Sequence, residues 1–165
     1  MLLTIFLAII FCAAITMMLL SAVAFVQDER FFSSAPKEAR EVIRTRENEL
    51  FYGARAIGWT LMVFAVLMIL GVGVISVWDG LRSGFTFWQF FVRFALIFTI
   101  YKAYDMVCFD YFLLIKFKFY QHYFPEVEGA DFGKRYGYNV KSQLLKLFII
   151  FPAISALAAW VCTLL

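Results

Sequence analysis

"FWQFFVRFALIFTIYKAYDMVCFDYFLLI", residues 87–115, decides how this chain folds. The stretch is apolar and aromatic enough for a membrane helix, yet it carries Arg93, Lys102, Asp105 and Asp110. On an insertion scale a charge of this kind at a helix centre costs about 2.5–3.5 kcal/mol, whereas each Leu, Ile, Phe or Val returns only about 0.3–0.6 kcal/mol. As one helix the stretch would run roughly 44 Å at about 1.5 Å per residue, longer than a hydrocarbon core of about 30 Å. A window of about 20 residues slid along it never clears all four charges. Such a helix is tolerated in lipid only when other helices shield it.

The rest of the chain supplies candidates for that shield. Of its 165 residues 64% are hydrophobic, 20% aromatic and only 16% charged, against about a quarter charged in an ordinary soluble domain. Residues 1–27, 56–78 and 147–165 contain no charged side chain at all. We therefore expect an all-α integral membrane four-helix bundle, a single polytopic domain over 1–165 with spans at about 1–26, 56–78, 87–115 and 143–165. Ala22-Val23-Ala24 has the small-x-small form of a signal-peptide cleavage site, but no basic residue precedes the apolar run and the run is longer than a usual signal core. The first segment is expected to be a retained span.

Basic residues set the expected orientation. Arg30, Lys37, Arg40, Arg44, Arg46 and Arg55 lie in the first connection, 27–55, and Lys116, Lys118, Lys134, Arg135 and Lys141 in the third, 116–142, with Lys146 just beyond it. Four spans put these two connections on one side, and the Lys/Arg-rich side is normally cytoplasmic. Both termini and the short second connection, 79–86 with its single Arg82, should then face outward from a cell (inner) membrane. The net charge of +3 bears on topology. No basic stripe with stacking aromatics stands apart from the membrane, so nucleic-acid binding is excluded.

The connections carry patterns of their own. In "SSAPKEAREVIRTRENELFYGAR", residues 33–55, Pro36 follows a serine pair as at a helix start, and Lys37 with Glu41, Arg44 with Glu47 and Arg46 with Glu49 fall at helical spacing. This predicts a cytoplasmic amphipathic, polar helix between spans one and two. The third connection is rich in Phe and Tyr and contains Gly129, Gly133 and Gly137, a composition suited to a belt at the headgroups and unlike any phosphate loop.

Within the spans, Trp59 and Trp78 sit where interfacial rings are favoured, and Gly71 and Gly73 should permit close helix approach. Pro152 predicts a kink, and Ser155 with Ala159 a small-residue packing face in the last span. Cys12, Cys108 and Cys162 show neither CxxC nor zinc spacing, and the single His122 completes no metal constellation. No metal, cofactor or catalytic residue is assigned.

At about 100° per residue, Thr86, Gln89, Arg93, Tyr101, Tyr104, Asp105, Cys108 and Tyr111 share one broad face of the third span. Lys102 and Asp110 fall away from its centre, although Lys102 reaches Asp105 at the three-residue spacing. Ionisable groups inside a membrane usually face a bundle interior or wet cavity and mark function. The expected site is Arg93, Tyr101, Lys102, Tyr104, Asp105 and Cys108, binding or transporting a small molecule or ion, with Asp105 taking a cation or proton. Four helices make a narrow pathway, so a homo-oligomer or a membrane partner subunit is expected beside the lipid bilayer itself. The alternative is a non-catalytic accessory or scaffold subunit whose polar face meets partners.

A second alternative comes from "IRTRENELFYGAR", residues 43–55, together with chain size and span number. In these the chain resembles the small four-span enzymes of eicosanoid and glutathione metabolism, which implies a membrane enzyme acting on a lipid-like substrate. The segment shares basic and Asn/Glu character with that family's second-helix signature but not its spacing. No catalytic residue carries over.

Overall fold

The computed structural model describes residues 1–32, 41, 43–45, 49–127 and 140–165. All regular elements among them are helical. Helix α1 covers Leu2–Leu20 and opens over Ser21–Val26 into wider turns, in which Gln27 N–H donates to Ala22 O five residues back at 2.9 Å. Helix α2 is Ala54–Arg82, and α3 is Phe87–Tyr104, widening over Asp105–Lys116. Short α4, Phe119–Tyr123, is followed by a single 3₁₀ turn at Pro125–Val127. The chain closes with α5, Val140–Leu145, wide turns at Lys146–Ile150, and α6, Phe151–Leu164.

Three helical stretches are long and apolar enough to cross a membrane: Leu2–Val26 with 25 residues, Ala54–Arg82 with 29 and Ser142–Leu164 with 23. About 20 suffice. Their outward surfaces are large and oily, including Phe6 and Ile9 on α1, Phe64 and Leu70 on α2, and Leu157 and Val161 on α6. Water would not tolerate so continuous an apolar surface, whereas lipid does. The α3 stretch does not reach this threshold among the described residues, because its charges and tyrosines dilute its hydropathy.

The wide turns before α6 have a covalent cause. Pro152 has no N–H to give the carbonyl one turn back and its ring crowds that turn; the helix answers by bonding Phe151 N–H to Lys146 O, five residues back. The expected kink thus takes the form of an opened turn. No proline lies in Asp105–Lys116, yet Phe117 N–H still donates to Phe112 O at 2.8 Å.

Two compact units divide the chain. The first comprises Met1–Ala14, Leu67–Asp105 and Asn139–Leu165, the second Ile15–Val66 and Met106–Tyr138. In the first unit α3 touches three neighbours. Against α2 it runs antiparallel: Gly80 meets the Phe90 ring, Ser76 and Asp79 meet Arg93, and Val72 clusters with Ile97. Against α6 it also runs antiparallel, Phe90 and Phe94 packing with Ala159 and Cys162 while Phe98 stacks on Phe151 at 5.3 Å. Leu7 and Ala8 of α1 join Ile97, and Phe11 meets Tyr101 edge-on at 5.2 Å. Thr86 N–H, donating to Gln89 Oε1 at 2.8 Å, fixes the start of α3.

The second unit has its own cores. Ala22, Val26 and Met62 pack together, and Val23 joins Ile43, Phe124 and Val127, all nearly fully buried. The aromatic connection therefore does not lie wholly as a surface belt: Phe124 is a core residue, while Phe117 is 65% exposed. Residues 43–45 are not helical, which corrects the helix expected there. Ile43 turns in to the core and Thr45 Oγ1 accepts from Glu29 N–H at 3.3 Å, so this part of the connection is used for packing. Positions 33–40, 42 and 46–48 of that expected helix, and the three glycines at 129, 133 and 137, lie outside the described residues.

The close-approach glycines are also different from those expected. A Cβ on Gly71 or Gly73 would meet nothing within 4 Å; one on Gly58 would lie 2.7 Å from Phe25 Cβ, and one on Gly80 2.2 Å from Phe90 Cε1. The face expected on the last span is present, Ser155 and Ala159 both being fully buried.

Candidate functional site

Two charge pairs sit on α3 within the first unit, and they differ in kind. Arg93 is 4% exposed. Its Nη1 donates to the Ser76 carbonyl oxygen at 2.9 Å and its Nη2 to Asp79 Oδ2 at 2.7 Å, both on α2. The guanidinium carbon stands 4.3 Å from the Phe85 ring centre, a cation–π arrangement. Nε has no partner among the described residues. Arg93 therefore bridges two helices with a planar, multi-donor group suited to that task.

Lys102 pairs with Asp105, three residues on along the same chain direction. The lysine side chain is 4% exposed and the aspartate side chain 16%. Among the described residues this pair ties no second helix. Asp105 is also the point at which α3 gives way to wide turns, its own N–H being shared between the carbonyls of Lys102 and Tyr101. Turns of this type are rare and recur at functional sites.

Between the pairs, roughly 13 Å apart at about 1.5 Å per residue, lies an apolar layer. Leu7, Ala8, Val72 and Ile97 are all nearly fully buried there, and Phe98 and Phe11 pack edge to face at 6.2 Å. The polar face drawn from the helical wheel is thus interrupted. Thr86 and Gln89 are exposed and serve as the helix cap, Tyr101 and Tyr104 are half-buried, and Lys102, expected off the face, is the more deeply buried residue. A wheel assumes one partner surface and a constant turn angle; α3 has three partner helices, and its turns widen at Asp105. Cys108 belongs to the second unit and is a half-buried free thiol; Tyr111, in the same unit, is exposed.

Sequence reasoning missed Asp79 and Ser76 as partners of Arg93. The signal was available in the short connection after α2, which forces its last turns beside the first turns of the following helix. Ser155, expected on a packing face, is fully buried, and its hydroxyl has no partner among the described residues.

A third charged cluster lies outside the apolar helices, in the second unit. Asp28 accepts from Arg30 N–H and Nε at 3.0 Å and from its Nη2 at 2.5 Å. These hydrogen bonds, with the charges of Arg30 and Arg55, hold the Asp28 carboxyl below its ordinary pKa, and the carboxylate in turn raises that of Arg30. No His/Cys/Asp/Glu group capable of holding a metal is found among the described residues. Compared with known proteins, the chain matches no family model, no curated sequence and no solved structure.

Proposed function

We propose that this chain is a small multi-pass membrane protein that binds or transports a small ligand or ion at the polar site of α3, with Lys102 and Asp105 at its centre. In this reading α3 is the fourth span, both termini face outward, and the basic connections are cytoplasmic. The antiparallel packing of α3 against α2 and α6 supports a return crossing. Arg93 belongs to the site mainly as the residue that holds α2 and α3 in register, and Tyr101 and Tyr104 remain its candidate polar neighbours.

The observation that carries the reading is that the Lys102–Asp105 pair is local. Burying a charge costs several kcal/mol, and a buried pair repays this only with good geometry and further hydrogen bonds. Arg93–Asp79 repays it by joining two helices. A pair three residues apart on one helix adds no tertiary link, so structural need does not account for a lysine this deeply buried. Intramembrane ionisable residues of this type face ligand, ion or proton paths. The apolar layer at Ile97 divides the two pairs, which favours an occluded site over an open pore.

Native mass spectrometry of protein released from gently solubilised membranes tests the proposal. The wild type should retain a discrete small molecule or ion that the double variant Lys102→Gln, Asp105→Asn loses while keeping its helicity. A bare chain in both, leaving the membrane only with a second protein, would instead establish the accessory-subunit alternative.

A further inference from the structure

We infer that the ligand of the Lys102–Asp105 site is a small monovalent anion taken up together with one proton. The inference rests on the functional reading above and specifies its chemistry.

The order of burial sets the sign. Lys102 is the deeper member of the pair, at 4% exposure against 16% for Asp105. An incoming cation would meet the lysine charge and would have to displace a tethered ammonium already seated on the carboxylate. An incoming anion meets the opposite situation. The ammonium has three N–H donors, and Asp105 is its one polar partner among the described residues. What prevents the anion from binding is the aspartate, which already neutralises the lysine.

Protonation of Asp105 removes that obstacle. The proton comes from solvent to a carboxylate oxygen, the lysine keeps its own proton, and an unpaired buried ammonium remains. That state is costly until an anion takes the place the carboxylate held. Proton and monoanion together leave the net charge of the site unchanged, so binding one favours binding the other by the same factor.

Among the described residues of the first unit, no other acid packs on this level of α3. Helix α1 brings no charged side chain, its titratable group being Cys12, and α2 brings none between Arg55 and Asp79. The turns Lys146–Ile150 bring Lys146, a further cation. On α3 itself the neighbours are Tyr101 and Tyr104, with Cys108 and Asp110 following in sequence in the second unit. Within the first unit Asp105 is the carboxylate of this level.

The test is proton uptake on anion binding by the full chain in lipid nanodiscs, read with a pH indicator in weak buffer and by calorimetry, using nitrate, chloride and formate between pH 5.5 and 8. The wild type should take up close to one proton per anion, and its anion affinity should fall as pH rises, about tenfold per pH unit where one proton accompanies each anion. Asp105→Asn should bind the same anions with no proton uptake and no pH dependence, and Lys102→Gln should not bind them. Circular dichroism confirms that both variants fold. Anion binding by the wild type without proton uptake would overturn the inference. Binding of sodium or potassium at Asp105 would also overturn it while preserving the ion-site reading; if neither anions nor cations bind and both variants behave as wild type, the inference and the reading fail together.

Discussion

Gly80 gives the sharpest test of the α2–α3 packing on which the site is built. A methyl group added there would lie 2.2 Å from Phe90 Cε1, 2.6 Å from Cζ and 3.1 Å from Cδ1, so the ring must move. It has little room: Phe90 is 1% exposed and meets the rings of Phe85 at 5.6 Å and Phe94 at 6.3 Å. Overpacking of this kind costs about 1–3 kcal/mol. Alanine recovers about 1 kcal/mol of helix propensity over glycine. Gly80→Ala should therefore lose up to about 2 kcal/mol net, measured by denaturant titration in detergent with tryptophan fluorescence. Gly71→Ala and Gly73→Ala, whose added carbons meet nothing within 4 Å, should be neutral or gain up to about 1 kcal/mol. In a Phe90→Leu background the Gly80 penalty should disappear, a coupling of about 1–3 kcal/mol in a double-mutant cycle. If Gly80→Ala stabilises the wild type, or the penalty is unchanged by Phe90→Leu, the packing described for the hairpin is wrong.

Three further outcomes follow from other parts of the structure. Phe124→Ala should cost about 3–5 kcal/mol of stability, as for a fully buried aromatic, while Phe117→Ala, at a residue 65% exposed, should change it little; equal effects would contradict the core assigned to the second unit. Because the Asp28 pKa is lowered by its hydrogen bonds from Arg30, its stabilising contribution is fully present above the ordinary carboxylate pKa and is lost as pH falls through the lowered one. Arg30→Gln should move the Asp28 midpoint upward in an NMR titration, and no movement would remove Arg30 as the cause. A reporter fused after Leu165 should be active in an outside compartment, and cytoplasmic activity would overturn the proposed orientation.

The legible part of the fold was the part written in uninterrupted apolar runs. Leu2–Val26, Ala54–Arg82 and Ser142–Leu164 follow from the absence of charge over the length of a bilayer, a property of composition that no packing detail can reverse. Ser155 and Ala159 were legible because small residues four apart form a face on a helix. Contacts between distant segments were not. Gly71 and Gly73 look as suitable for close approach as Gly58 and Gly80; only the position of Phe90 and of Phe25 separates them. The polar connection reads as a helix from its charge spacing, yet Ile43 is drawn into a core with Val23 and Phe124, a tertiary demand that local periodicity does not encode. For the site, Lys102 with Asp105 was readable from the three-residue spacing. That Lys102 is the buried member, and that Arg93 spends its donors on Ser76 and Asp79, required knowing which helices surround α3.

The account depends above all on α3 crossing the membrane with its charge pair inside. Paired reporter fusions placed after Gly84 and after Lys118, on either side of that helix, address this directly. The account predicts opposite compartments, outside for Gly84 and cytoplasmic for Lys118. Both reporters in the same compartment would mean that α3 does not cross, and the Lys102–Asp105 pair would lose its claim to be a membrane site.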